Sequence, residues 1–280
     1  MSTASSPSPA VQAAALSFIE ARLNPHVPIG TPIDGIDNLD DAYAVQKEMV
    51  RIGPGLGLGA VVGWKCGATN AAAQAGLQFS KPFFGPLFQS CLVPNTGKVS
   101  LRSMGAFRAS EAEFCFHLAE ACPAKGSPYT EKEIWDKVAT VAPAIEIAAT
   151  RCTHLPLKST TVVGDFALNG CVVVGHRIPA ESIVGGWESL ARVVAAVKLN
   201  GVSLASESGA NVLGNPITSL TWLANTLNEY GLQLNSGDLV MSGAASASKN
   251  ALASGDTLDA VFTGFCSGIS DQVSSVKITE

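Results

Sequence analysis

Charged side chains are scarce in this chain of 280 residues, of which 15% are Asp, Glu, Lys or Arg and 47% are apolar. The formal net charge is −5, and no run of Lys and Arg forms a basic cluster. Nucleic acids and anionic membranes are bound through such clusters, so both are excluded as expected partners. No apolar run reaches the roughly 20 residues that a membrane-spanning helix needs. We therefore expect a soluble, globular protein.

Paired cysteine motifs are also missing. No C-x-x-C pair occurs, so we expect neither a disulfide framework nor a thiolate zinc site. The serine-nucleophile motif G-x-S-x-G is absent, and "GPGLGLGA" lacks the strand–loop–helix order that a dinucleotide fingerprint requires. Most of the cysteines are therefore expected to be small buried residues in a reducing compartment: Cys66, Cys91, Cys115, Cys122, Cys152, Cys171 and Cys266.

The N-terminal stretch "MSTASSPSPAVQAAALSFIEARL" lacks the basic start of a secretory signal. We expect a disordered tail there, and we divide the chain into an N-terminal tail and lead-in segment, 1–37, and a single domain, 38–280. The expected location is the cytoplasm, and the Ser/Ala-rich N-terminus keeps an organelle open as the alternative.

Cap residues and turn residues predict a mixed fold. "DNLDDAYAVQKEMVRIG" has the features of a helix ending before Gly53, "YTEKEIWDKVATV" opens with a capping box of Thr130 and Glu133, and "NPITSLTWLANTLNEYG" is a helix capped by Asn215. The dipeptide Asn200-Gly201 suits a hairpin, and "GDLVMSG", "DTLDAVFTG" and "SSVKI" are typical of short strands. The sequence predicts an α+β fold with mainly antiparallel strands and peripheral helices.

Two glutamates stand one residue apart in "FRASEAEFCFHLAEA". In a strand, Glu111 and Glu113 share one face with Cys115 and His117, while the residues between them form an apolar face. Adjacent carboxylates repel one another unless a cation or a proton resolves the conflict. An exposed acidic face is the alternative interpretation, because Glu is mostly a surface residue.

A third carboxylate favours a metal site. Glu146 is the only ionisable residue in the apolar stretch "VATVAPAIEIAAT", where a lone carboxylate is costly to bury unless it is paired or bound to a metal. Three carboxylates without a nearby basic cluster indicate Mg²⁺ or Mn²⁺ more than zinc. Cys115 and His117 lack partners at zinc-ligand spacing and are interpreted as structural.

The order of several segments resembles one known family, the 2-keto-4-pentenoate hydratases and 4-oxalocrotonate decarboxylases of the fumarylacetoacetate hydrolase superfamily. The similar segments are "DDAYAVQ", "VVGWKCGAT", "SEAEFCFHL", "VAPAIEIAATR", "VLGNPITSLTWLANTL" and "SGDLVMSGA". The resemblance implies a β roll or sandwich of the C-terminal type of this superfamily with peripheral helices. It also implies a homo-oligomeric lyase of aromatic catabolism that acts on small 2-keto acids.

The resemblance implies roles for individual residues. Glu111, Glu113 and Glu146 correspond to the three ligands of a catalytic Mg²⁺ or Mn²⁺, and Lys65 to the lysine that faces the 2-keto acid. Asp165 falls where the family has a catalytic aspartate. A metal would act as a Lewis acid while an enolate forms, and Lys65 would add positive charge at the same oxygen. Hydration and decarboxylation both need this stabilisation.

The chain departs from the family in its substrate-binding positions. Phe83 stands in "KPFFG" where hydratases have an acid, and Phe166 replaces an asparagine beside Asp165. The loss of an acid at position 83 favours decarboxylation or a different substrate, so 4-oxalocrotonate-type decarboxylation is the alternative to hydration. A hydrolase of C–C bonds in acylpyruvates and a catalytically idle metal-binding homologue are further alternatives.

Overall fold

The structure, a computed structural model, describes residues 6–265 and 271–280. The helices are α1 (Pro9–Leu23), α2 (Leu39–Ile52), α3 (Ala71–Leu77), α4 (Glu131–Trp135), α5 (Ser159–Gly164) and α6 (Pro216–Glu229). The strands are β1 (Val61–Gly67), β2 (Phe83–Phe88), β3 (Leu92–Val93), β4 (Lys98–Ser100), β5 (Ala106–Leu118), β6 (Val138–Thr150), β7 (Asn169–Val174), β8 (Ile178–Pro179), β9 (Val194–Leu199), β10 (Val202–Ser208), β11 (Leu239–Ser248), β12 (Thr257–Thr263) and β13 (Gln272–Thr279). None of the described helices is long and apolar enough to cross a membrane.

The strands form two sheets. The larger has the order β2-β1-β11-β5-β6-β7-β3, with β8 also pairing with β6, and the smaller has the order β10-β9-β12-β13-β4. Among the strand pairs of residues 6–265 and 271–280, only β1–β11, β3–β7 and β4–β13 are parallel. The predicted mixed, mainly antiparallel fold is therefore confirmed.

The apolar face of β5 packs against the smaller sheet. Ala112, Phe114, Phe116 and Leu118 are fully buried in the main core. The ring of Phe114 lies edge-on to that of Phe262 on β12, with 5.0 Å between the centroids. The predicted alternation along β5 is confirmed, so the residues between these four face the opposite side of the sheet.

The capping signals of the sequence occur where they were predicted. The Asn38 side chain accepts a hydrogen bond at the start of α2, and the capping box of Thr130 and Glu133 opens α4. Asn215 caps α6 in the same way as Asn38 caps α2. The dipeptide Asn200-Gly201 joins β9 to β10 with positive φ at both residues.

The prediction of a disordered N-terminal tail is wrong for residues 9–23, which form α1. Ser8 caps this helix, and Pro9 takes its first position, where a missing N–H costs nothing. The buried residues have helical spacing, but several are alanines, so the contrast between the two faces of the helix is small in the sequence. They pack in the main core against α2 and α5: Val11, Ala14, Ala15, Phe18 and Ile19.

The cysteines of the described residues are free and buried, as predicted for small apolar residues. They are Cys66, Cys91, Cys115, Cys122, Cys152 and Cys171. Burial raises the pKa of each of these thiols. Cys266 lies outside the described residues.

Candidate metal centre and cleft

Three carboxylates meet on the face of the large sheet opposite to the side chains of Ala112 and Phe114. The antiparallel register of β5 and β6 places Glu111 directly opposite Glu146, and Glu113 follows two residues along on the same face. Glu113 and Glu146 are fully buried, and Glu111 is partly buried. One carboxylate oxygen from each residue can be chosen so that all three lie within 4.8 Å of one another. The structure therefore brings the three predicted ligands together.

Backbone and amide donors orient two of these carboxylates. The backbone N–H of Gly243, on the neighbouring strand β11, donates to Oε2 of Glu113 at 2.8 Å. Nδ2 of Asn169, on β7, donates to Oε1 of Glu146 at the same distance. Oε1 of Glu113 is buried without a hydrogen-bond partner among the described residues. These hydrogen bonds thus hold the cluster in place but leave one of its oxygens without a hydrogen-bond partner.

Lys65 is a buried cation that contacts the cluster through Glu146. Its Nζ lies 2.8 Å from Oε2 of Glu146 and donates to the carbonyl of Ala167 at 3.1 Å. The residue is 3% exposed, because β1 is covered on both edges, by β2 and by β11. One lysine against three carboxylates leaves a formal charge of −2 when all four groups are ionised.

The pKa values of Glu111, Glu113 and Lys65 reflect both their burial and this excess of negative charge. Burial, and then the charge of Glu146, raises the pKa of Glu111 to about 7, although Lys65 counteracts the shift. Burial and both neighbouring carboxylates raise the pKa of Glu113 well above its usual range. Burial alone would lower the pKa of Lys65, but the attraction of the three carboxylates outweighs it, and the pKa lies above its ordinary value.

A left-handed turn supplies the carbonyl that contacts Lys65. Phe166, Ala167 and Leu168 have φ angles of 50°, 52° and 62°, a region that costs residues other than glycine about 1 kcal/mol or more each. Gly85 on β2 makes room for the turn, since a Cβ there would stand 2.6 Å from Cβ of Ala167. This local strain coincides with the contact to Lys65, as is common at functional sites.

A cleft opens beside the cluster between the end of β1 and α3. Lys65, Thr69, Glu111, Phe83 and Leu168 are among its lining residues. The Phe83 ring centroid lies 6.0 Å from Nζ of Lys65. Phe83 is thus beside the charged groups, where the resemblance placed a substrate-binding residue.

The structure does not bring Asp165 into this cleft, so it does not support the predicted catalytic role. Its Oδ1 pairs with Nε of Arg151 at 2.5 Å, and its Oδ2 accepts from the Thr150 hydroxyl and the Arg151 N–H, both at 2.8 Å. Both oxygens are therefore occupied by a structural network. Asp165 directly follows α5, and its carboxylate faces Thr150 at the end of β6 instead of the cleft.

Phe166 also points away from the cleft, and its predicted contact with substrate is not supported. Its ring packs against Phe88, and the guanidinium groups of Arg22 and Arg151 lie 5.1 Å and 5.4 Å from its centroid. The left-handed turn directs the Phe166 side chain toward these residues, and Leu168 lines the cleft instead.

Three residues of the site were not predicted from the sequence. Asn169 and Gly243 orient carboxylates from distant strands, and no local pattern marks them. Thr69 lines the cleft with a buried hydroxyl. It lies in the segment "VVGWKCGAT", whose resemblance to the family was the available signal.

The donor set of the cluster fits a divalent cation. All three side chains offer oxygen, which Mg²⁺ and Mn²⁺ prefer, and the buried Oε1 of Glu113 has no other partner among the described residues. No histidine or cysteine of the described chain joins the three glutamates. Glu111, Glu113 and Glu146 are therefore the residues that would hold the ion, and their role as ligands stays a prediction.

Comparisons with known proteins agree with this arrangement. Residues 57–272 match the family model of the fumarylacetoacetate hydrolase C-terminal domain. The chain is 31% identical over 229 residues to 2-hydroxyhexa-2,4-dienoate hydratase of Comamonas testosteroni, covering 81% of this chain and 83% of the relative. It is 32% identical over 212 residues to 2-oxo-hept-4-ene-1,7-dioate hydratase of Escherichia coli, covering 73% and 76%.

The fold is also similar to a solved structure, that of 4-oxalocrotonate decarboxylase from Pseudomonas putida G7 in complex with magnesium and adipate. The TM-score is 0.83 and the sequence identity 25%, over 96% of this chain and 97% of the other. The proteins that are similar to this chain thus include both reaction types, hydratase and decarboxylase.

Proposed function

Because this chain belongs to the fumarylacetoacetate hydrolase family, we propose that it is a divalent-metal-dependent lyase acting on small 2-keto acids, similar to the 2-keto-4-pentenoate hydratases. The observation that carries the proposal is the group of Glu111, Glu113 and Glu146 around Lys65 at the end of a cleft. The two hydratase relatives act on substrates of this chemical class, as their names state.

The chemistry follows from the charges of the site. Mg²⁺ or Mn²⁺, held by the three glutamates, would supply a Lewis acid that polarises the keto group of the substrate. Lys65 places a second positive charge beside the same carboxylates, where it stabilises negative charge that develops on the substrate. Its hydrogen bond to the carbonyl of Ala167 and its ion pair with Glu146 fix the position of the ammonium group.

The finer parts of the proposal concern the ion and the assembly. An all-carboxylate donor set supports Mg²⁺ or Mn²⁺. Free, buried cysteines support a reducing compartment such as the cytoplasm. A homo-oligomer is proposed on the family resemblance alone.

The test is hydration of 2-hydroxypenta-2,4-dienoate by the purified protein. We expect activity with Mg²⁺ or Mn²⁺, loss of activity after chelation and recovery when the ion is restored. Lys65→Met should abolish turnover, whereas Lys132→Met, at an exposed lysine on α4, should leave it unchanged. Full activity after complete chelation would overturn the metal-dependent proposal.

Decarboxylation is the second candidate, and Phe83 favours it. Among the described residues that line the cleft, only Lys65 and Glu111 are ionisable. Phe83 stands where a hydratase would have a proton-transferring acid, and it packs against Phe79 with 4.6 Å between ring centroids. The cleft therefore offers no carboxyl at position 83.

The two reactions can be separated with substitutions at Phe83. Dienoate hydration and decarboxylation of 2-oxo-3-hexenedioate are measured side by side for wild type, Phe83→Asp and the matched Phe83→Asn. General acid–base groups typically contribute about 10²–10⁴-fold, so Phe83→Asp should raise hydration relative to decarboxylation, and Phe83→Asn should not. Efficient hydration by the wild type without a gain in Phe83→Asp would show that Phe83 serves only packing.

A further inference from the structure

Thr69 has a buried hydroxyl that the proposed chemistry does not use. The residue is 1% exposed, and its Oγ1 has no hydrogen-bond partner among the described residues. Its backbone is held in place, because its carbonyl accepts from the N–H of Leu213 at 2.9 Å. Thr69 lines the same cleft as Lys65 and Glu111. The hydroxyl is thus fixed within the cleft and left unpaired there.

The position of Gly243 shows how near this hydroxyl is to the carboxylates. A Cβ on Gly243 would stand 2.2 Å from Oγ1 of Thr69, so the hydroxyl fills space that any other residue at 243 would occupy. The N–H of Gly243 donates to Oε2 of Glu113, whose Oε1 is itself unpartnered. Thr69 and Glu113 therefore both lie next to Gly243, and each has a polar atom without a hydrogen-bond partner among the described residues.

A buried polar group without a partner is costly, and its persistence in a folded protein calls for an explanation. A hydroxyl can donate one hydrogen bond, which suits an anionic oxygen. A 2-keto acid held at the carboxylate cluster would bring such oxygens into the cleft. We propose that the hydroxyl of Thr69 donates a hydrogen bond to an oxygen of the 2-oxo carboxylate group, which makes it a substrate-binding residue of the site. This assignment rests on the proposed function.

The test uses oxalate and pyruvate as probes, titrated by calorimetry into the Mg²⁺-loaded protein. Thr69→Val keeps the shape of the side chain and removes the donor. We expect it to weaken oxalate binding by about tenfold or more, the loss typical of a hydrogen bond to a charged group. Thr69→Ser should restore most of the affinity. In steady-state assays, KM should rise in Thr69→Val while Mg²⁺ affinity stays that of the wild type.

Thr140 offers a matched control, because its Oγ1 is also buried without a partner but lies on β6 outside the cleft. Thr140→Val should leave oxalate binding unchanged. Wild-type affinity for oxalate in Thr69→Val would overturn the assignment, and so would an equal fall in Mg²⁺ affinity, which would mean that Thr69 supports Glu113 instead. If neither probe binds to the Mg²⁺-loaded wild type, the proposed function fails, and the assignment fails with it.

Discussion

One buried group of charges lies on β5 and β6 and a second lies at the end of β6, and their polar atoms are hydrogen-bonded to different degrees. In the carboxylate cluster, three glutamates face one lysine, and an oxygen of Glu113 has no partner among the described residues. In the second group, Asp165 has both oxygens occupied by Arg151 and Thr150. The first group therefore has an oxygen that is free to bind a cation, whereas in the second group, which we call complete, each carboxylate oxygen has a partner.

The complete group also connects α1 to the site. Arg22 at the end of α1 donates to the carbonyls of Asn169 and Gly170 at 2.6 Å and 2.7 Å, and Arg151 donates to the same Asn169 carbonyl at 2.7 Å. Burial, and then repulsion by Arg151, lowers the pKa of Arg22 to about 10. Since the Asn169 side chain holds Glu146, the second group acts as a positioning network for the first.

The largest effect on folding stability is expected from a substitution in the group of Asp165, Arg151 and Thr150. Asp165→Asn leaves Arg151 buried without a counter-charge, which should reduce the free energy of unfolding by about 3–5 kcal/mol. The measurement is equilibrium denaturation in urea. Asp136→Asn removes the carboxylate of an exposed ion pair with Lys132 and should cost at most about 1 kcal/mol. Equal losses in the two variants would contradict the structural role of Asp165.

A smaller effect, on metal binding instead of folding stability, is expected from a substitution in the carboxylate cluster. Glu113→Gln removes one of three repelling carboxylates, so the metal-free variant should be at least as stable as the metal-free wild type. Its Mg²⁺ affinity should fall by more than roughly 10-fold to 100-fold. That range is the loss that follows removal of an outer-shell partner of a metal ligand, and Glu113 is proposed as a ligand itself.

Calorimetry with Mg²⁺ measures the affinity, and thermal unfolding with and without Mg²⁺ measures the stabilisation. Glu120→Gln, at a largely exposed carboxylate, is the control and should respond to Mg²⁺ like the wild type. Unchanged Mg²⁺ affinity in Glu113→Gln would remove Glu113 from the proposed ligands.

The third effect concerns pH, and per pH unit it is the smallest of the three. The pKa of Glu111 is about 7 in the folded, metal-free protein and near 4.5 in the unfolded chain, so the folded state holds more protons between these values. The Glu111 proton should therefore make the stability of the metal-free protein fall as pH rises from about 4.5 to 7, by at most about 1.4 kcal/mol per pH unit, and Glu113, whose pKa is also raised, adds to the fall.

Urea denaturation of the chelated protein across this pH range provides the measurement. The slope should flatten in Glu111→Gln, which cannot take up the proton. The same slope in that variant and in the wild type would mean that another group is responsible.

Local patterns were sufficient for part of the fold and for the carboxylates. Period-two alternation predicted which face of β5 holds Glu111 and Glu113, and an apolar run containing one acid predicted the burial of Glu146. Cap residues predicted α2, α4 and α6. These features depend on neighbours within a few residues, so the sequence alone could reveal them.

The remaining features depend on distant pairings or on backbone conformation. The contact between Gly243 and Glu113 depends on the register of β11, and that register shifts beside Gly243. Asp165 was assigned to catalysis because of its place in a family segment, but a left-handed turn after it reverses which side chains reach the cleft. The burial of α1 could not be read from its alanine-rich faces.

The position of β11 has a consequence for how the chain is synthesised. This strand comes from the last part of the sequence but lies in the centre of the large sheet, between β1 and β5. During translation, β5 and β6 can pair early, while the other edge of β5 stays open until residue 248 has left the ribosome. An open strand edge invites pairing with other chains. The nascent protein therefore passes through an interval in which that strand edge is open to pairing with other chains.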